Sequence, residues 1–134
     1  MRRIQRPIGV TVMSVYDILV VGVIPLLTFV FALRNSDDEI PFVAVLLSVA
    51  LYFCVMGAAV WAWSGVNIGR WILLAAVTVV ALQWIVNASL FLAGSESAYQ
   101  PRVIGFITRG ATALGLNWWY FNRNSTIAYY KQNS

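Results

Sequence analysis

Two ionisable side chains, Asp17 and Arg109, lie inside apolar stretches of this sequence. Within a membrane-spanning segment such a group is costly unless it is paired or hydrated, so both are expected to face other helices. A helical rise of 1.5 Å per residue puts Asp17 about 13 to 14 Å in from one end of its stretch, and Gln83, Tyr52 and Arg109 at about 18 Å from the same side. Four apolar stretches thus each offer one polar residue at a similar depth. Ser14, one turn before Asp17, and Asn87, one turn after Gln83, extend that polar surface. The expectation is a buried Asp17–Arg109 ion pair with hydrogen bonds from Gln83 and Tyr52. Three uses of the two residues stay open. They can form a clamp that fixes helix partners and register, or a proton or ion path in which Asp17 changes partner. In the third, Arg109 snorkels toward headgroups while Asp17 is neutral or paired with another subunit.

The elements that must hold these residues follow from composition. The chain has 134 residues, 60% hydrophobic and 10% charged, with a mean hydropathy of +0.77. Soluble domains carry about a quarter charged residues, so this is read as an integral membrane protein. With about 20 residues per crossing, the length accommodates four spans and short loops, and leaves no room for a soluble catalytic domain. The spans run from about Ile8 to Leu33, Ile40 to Ser64, Trp71 to Ala93 and Val103 to Phe121, followed by a polar tail, Asn122 to Ser134. The first stretch opens on basic residues as a signal peptide would. It is nevertheless long, contains Asp17 and lacks a small-x-small cleavage site, so it reads as a retained span. Short connections predict an all-α, up-down-up-down four-helix bundle forming a single transmembrane domain.

Charge sets the expected orientation. Arg2, Arg3, Arg6, Arg70, Arg123 and Lys131 fall on one side of this threading, and Arg34 and Arg102 on the other with the acidic loop residues. The positive-inside rule then places both termini in the cytoplasm of a cell, inner or plasma, membrane. Trp61, Trp63, Trp71, Trp118 and Trp119 cluster at the same boundary, where indole rings anchor helices at the lipid–water interface. Ala58 with Ala62, and Ala111 with Gly115, are four residues apart and mark expected close helix contacts. Gly22 followed by Pro25 marks an expected kink above Asp17.

The chemistry excluded is extensive. With no histidine and a single cysteine, Cys54, the chain offers no familiar zinc, haem or copper site and no internal disulfide. The net charge of +4 is scattered rather than gathered into a nucleic-acid footprint. No nucleophile–base pair or phosphate loop is recognisable, so no cofactor, metal or enzymatic activity is expected.

The opening Arg6-Pro-Ile-Gly-Val-Thr11 resembles the start of small four-span membrane proteins of archaea and bacteria. The ending Trp119-Tyr-Phe-Asn-Arg123 with Ala128-Tyr-Tyr130 resembles their aromatic exit into a short tail. That resemblance implies a prokaryotic inner-membrane protein and carries no activity with it. Four spans with an acid in the first are also similar to the small multidrug resistance exporters. This chain departs from them in using Asp17 rather than a glutamate, in its charge bias and in Arg109. The expected function is a non-catalytic integral subunit that packs against and stabilises a larger membrane complex, of respiratory or monooxygenase type, with membrane lipids and other integral subunits as partners. The alternative is a small proton-coupled transporter or channel component switched by Asp17.

Overall fold

A computed structural model describes residues 5–35, 37, 39–94 and 100–133. The described residues form helices and no strands. Helix α1 spans Ile8–Asn35, α2 Phe42–Trp63, α3 Asn67–Gly94, α4 Gln100–Phe121 and α5 Asn124–Asn133. Helices α1, α2 and α3 are long and apolar enough to cross a membrane. This is the architecture of a membrane protein. Helix α4 matches α2 in length, at 22 residues, but is more polar.

Prolines set two of the starts. Pro7 and Pro41 precede the first residues of α1 and α2 with extended backbone (φ −59° and −55°), and their carbonyls accept the N–H groups of Val10 and of Ala44 and Val45. Lacking an N–H themselves, they cannot continue a helix upstream. A three-residue turn, Ser64, Gly65 and Val66, joins α2 to α3. Gly65 takes φ +91°, a left-handed conformation in which a side chain would be strained, and Tyr129 packs directly over it.

Helix α1 is not a uniform α-helix. Asp17–Val23 widens into a π-helical segment between Ile8–Tyr16 and Ile24–Asn35. Pro25 accounts for this. Its ring would collide with the carbonyl four residues back, and a widened turn relieves the collision. The expected irregularity therefore starts at Asp17 itself. Asp17, Val21 and Pro25, four apart, all stay buried.

Small residues recur in the interior, Ala58, Ala59 and Ala62 of α2, Ala76 and Ala81 of α3, and Ala113 of α4, beside larger ones such as Val55, Leu73, Leu74, Val77 and Phe121. The alanines let backbones approach, which matters where lipid is as apolar as the side chains. Helix α3 is central, packing along both α2 and α4, while α1 packs on α2 mainly through its first half and π segment. Large apolar side chains such as Leu27, Phe31, Phe42, Leu47, Phe53 and Leu82 point outward. In water such a surface would drive aggregation, but in a bilayer it is the surface the solvent favours.

The last segment departs from expectation. Rather than a polar tail, Asn124–Asn133 is a helix that buries Thr126, Tyr129 and Tyr130 against the bundle. These residues occupy positions i, i+3 and i+4, so one face of an otherwise polar helix is apolar.

Candidate functional site

The deepest polar group is the pair Asp17 and Asn117, both with 0% exposure. Asn117 Nδ2 donates to Asp17 Oδ1 at 2.7 Å and also to the carbonyl of Ala113 at 2.9 Å. Asp17 Oδ2, Asn117 Oδ1 and the buried Ser14 hydroxyl have no hydrogen-bond partner among the described residues. Helix propensity does not favour asparagine, but this one is held by its bond to the carbonyl one turn back and by the carboxyl opposite.

Arg109 is elsewhere. It is exposed on α4, with its guanidinium 5.9 Å from the centre of the Phe106 ring. The expected Asp17–Arg109 ion pair is not formed, and Asp17 is bound by an amide instead. Nor do Gln83 and Tyr52 join them in one layer. Gln83 is half-buried, and Tyr52 is buried with its hydroxyl 3.5 Å from the Trp84 indole nitrogen.

The Asp17–Asn117 bond accounts for a second correction. It fixes the rotation of α4 so that Gly110, Ala113, Asn117 and Phe121 face inward. Gly110 is the close-contact residue: a Cβ there would stand 3.1 Å from the Ala81 carbonyl oxygen. Ala111 and Gly115, expected at a helix contact, point away from the bundle, and nothing lies within 4 Å of a Cβ at Gly115. Ala58 and Ala62 of α2 are buried.

Consequently α4 turns an unusual face outward. Gly105, Thr108, Arg109, Thr112 and Gly115 are all exposed there. The Thr108 hydroxyl is satisfied within the helix, donating to the Ile104 carbonyl at 2.9 Å. Where α1, α2 and α3 present leucine, valine and phenylalanine to the outside, α4 sets this run of small and polar residues and one charge among its exposed Ile104, Phe106, Leu116, Trp118 and Trp119.

A third polar feature closes one end of the bundle. Arg70, 4% exposed, donates through its guanidinium to the carbonyl of Phe121, the last residue of α4, at 2.8 Å. A cation there meets both an orphaned carbonyl and the negative end of the helix dipole. The guanidinium also stacks 4.6 Å from the Trp71 ring and 5.7 Å from the Tyr130 ring. The Tyr130 hydroxyl donates to the Ala62 carbonyl at 2.7 Å. Burial pushes this phenol well above its ordinary 10.0, so it stays protonated.

The tryptophans ring the same end. Trp61, Trp63, Trp71, Trp118 and Trp119 are all more than a third exposed. Trp63 donates to the Thr11 hydroxyl and Trp118 to the Thr78 hydroxyl, at 3.2 and 2.8 Å. Arg6 covers Trp63 and Arg123 covers Trp119, each at 4.8 Å. The rings are spread around the bundle and do not converge into a cage. Cys54 is free and exposed on α2.

Sequence reasoning used Arg70 only as a flanking charge and noted Asn117 only as a polar residue of the fourth span, giving neither a partner. Both carried a signal: each is a polar residue within or beside a run of apolar ones, Asn117 one turn from the buried Ala113 and Phe121, and Arg70 one turn before the buried Leu73 and Leu74. No protein-family model, curated protein or solved structure matches the chain.

Proposed function

We propose that this chain is a non-catalytic integral membrane subunit with four spans, α4 being the fourth, and with both ends in the cytoplasm of a cell membrane. It joins a larger membrane complex through the outward face of α4. The observation that carries this reading is the exposed stripe Gly105, Thr108, Arg109, Thr112 and Gly115.

Facing lipid, that stripe leaves a guanidinium at mid-helix near the Phe106 ring and the half-buried Tyr16, with no carboxylate paired to it among the described residues, at a cost of several kcal/mol. Against another helix, the same residues are well suited. The two glycines and small threonines allow close backbone approach, and Arg109 supplies a charge that a carboxylate on the partner neutralises. The occupant is therefore a transmembrane helix of a different subunit, with small residues along one face and an acid at the depth of Arg109. A second copy of this chain fits poorly. A two-fold contact along α4 would bring Arg109 against its own equivalent, and the face holds no acid to separate them.

The test is extraction of the tagged protein from its native membrane in mild detergent, followed by blue-native electrophoresis and mass spectrometry of the band. Wild type should migrate in a complex of fixed stoichiometry, and Arg109→Leu should leave it while retaining the same helical content. Wild type migrating alone, or as a homo-oligomer, would remove the basis for the reading.

A further inference from the structure

A buried carboxyl has three ways to be tolerated: a cationic partner, a bound metal cation or a proton. Asp17 is completely buried, and among the described residues no lysine or arginine reaches it. The arrangement of its one partner is the informative detail. Asn117 Nδ2 donates to Asp17 Oδ1, so the carboxamide and carboxyl lie against each other, and the atoms left without partners are Asp17 Oδ2 and Asn117 Oδ1. Both are acceptors. A single proton on Oδ2 converts it to a donor, completes the second rung of a cyclic acid–amide pair and leaves no ionised group in the interior. An ionised Asp17 would leave both oxygens unsatisfied and one charge unpaired, which costs far more than a neutral pair.

We infer that Asp17 and Asn117 form a buried proton-holding site, the carboxyl carrying its proton on Oδ2 and sharing it with Asn117 Oδ1. The proton comes from water as the helices assemble. The site is distinct from the α4 outward face: Asn117 is fully buried, whereas Gly105, Thr108, Arg109, Thr112 and Gly115 are exposed. Its surroundings favour retention of the proton. On its own helix Asp17 is preceded by the Ser14 hydroxyl, one turn back, and by the half-buried Tyr16. From α4 it meets Asn117, while Arg109 of that helix acts on the neighbouring Tyr16, and from α2 and α3 no charged side chain acts on it. The π segment begins at Asp17, and the widened turn keeps the carboxyl aimed at α4 while Val21 and Pro25 remain packed below it.

Infrared difference spectroscopy of wild type against Asp17→Asn, in lipid and in both H2O and D2O, reads the site directly. The expected result is a protonated-acid carbonyl band from pH 6 to pH 9 that is absent in the variant, in sodium and in choline buffers alike. A carboxylate signature at Asp17 in both buffers overturns the proposal. An acid band in choline that becomes a carboxylate band in sodium identifies a sodium site and overturns it equally. Stability gives a second reading. Asparagine at position 17 mimics the protonated acid and can form the analogous amide–amide pair, so Asp17→Asn should unfold within about 2 °C of wild type. Failure of that variant to fold, or a large loss in Tm, would mean that the negative charge itself is needed.

Discussion

Replacing Gly115 separates a lipid-facing surface from a protein-facing one, because the two make opposite predictions for the same variant. Nothing lies within 4 Å of a Cβ at this position, so Gly115→Leu adds a side chain without a clash inside the chain. It also replaces the second-worst helix former with a good one, a gain of about 0.8 kcal/mol for the isolated protein. Purified in micelles and titrated with dodecyl sulfate, the variant should therefore be slightly more stable than wild type. In the native complex the same side chain occupies the space into which a partner backbone fits. Overpacking of a close contact costs ~1 to 3 kcal/mol, so association should weaken by roughly 5- to 150-fold. The assay is the fraction of tagged protein in the complex band on a blue-native gel, measured across a dilution series. A variant that is more stable alone and retained in the complex at the wild-type level would refute the assignment of this face to a partner.

Other expectations follow from contacts at the opposite surfaces. Gly69→Ala puts a Cβ 2.8 Å from the backbone nitrogen of Ala62, so the α2–α3 hairpin must open and the dodecyl sulfate titration should show a net loss of about 1 to 2 kcal/mol. Arg70→Ala strands the Phe121 carbonyl and removes a charged hydrogen bond, for a loss of about 2 to 3 kcal/mol, with faster proteinase K cleavage within α5. Unchanged cleavage would show that α5 is held without Arg70. The Tyr130 phenol gives a pH dependence. Its undocked form ionises near the ordinary value of 10.0, whereas burial keeps the docked form protonated. Protection of α5 from protease should thus be flat from pH 7 to 9 and fall as the pH rises past about 10, because the released state then binds fewer protons. Tyr130→Phe should flatten that fall.

The all-helical architecture and membrane character were legible from hydropathy, which reports local composition directly. The partner of Asp17 was not, for a reason of direction. Matching Asp17 to Arg109 compared the heights of their backbones, but each helical side chain leans toward its own N-terminus. In an antiparallel pair two such side chains converge only when the backbone positions are staggered the right way. Asp17 leans toward the Arg70 end and Asn117 leans away from it, so they meet. Asp17 and Arg109 lean apart. The rotation of α4 was hidden for a related reason: Ala111 with Gly115 and Gly110 with Ala113 are equally plausible contact pairs until one bond to another helix decides between them. Tyr129 and Tyr130 were visible as aromatics, and with Thr126 they carried the spacing of a buried helical face. A polar average over ten residues concealed it.

The two buried polar anchors also impose a schedule on assembly. Asp17 waits for Asn117, which lies 100 residues later in the chain, and Arg70 for the carbonyl of Phe121, 51 residues later. While the ribosome is still making α4, the three apolar helices already hold one acid and one guanidinium without their partners. Neither can be satisfied by any pairing of α1, α2 and α3 as they finally pack. The early helices must therefore remain loosely associated, with these groups near water or headgroups, until α4 arrives and engages both. Synthesis that stalls before Asn117 would leave an intermediate with two exposed liabilities, a ready substrate for membrane quality-control proteases. Completion of the chain removes both at once.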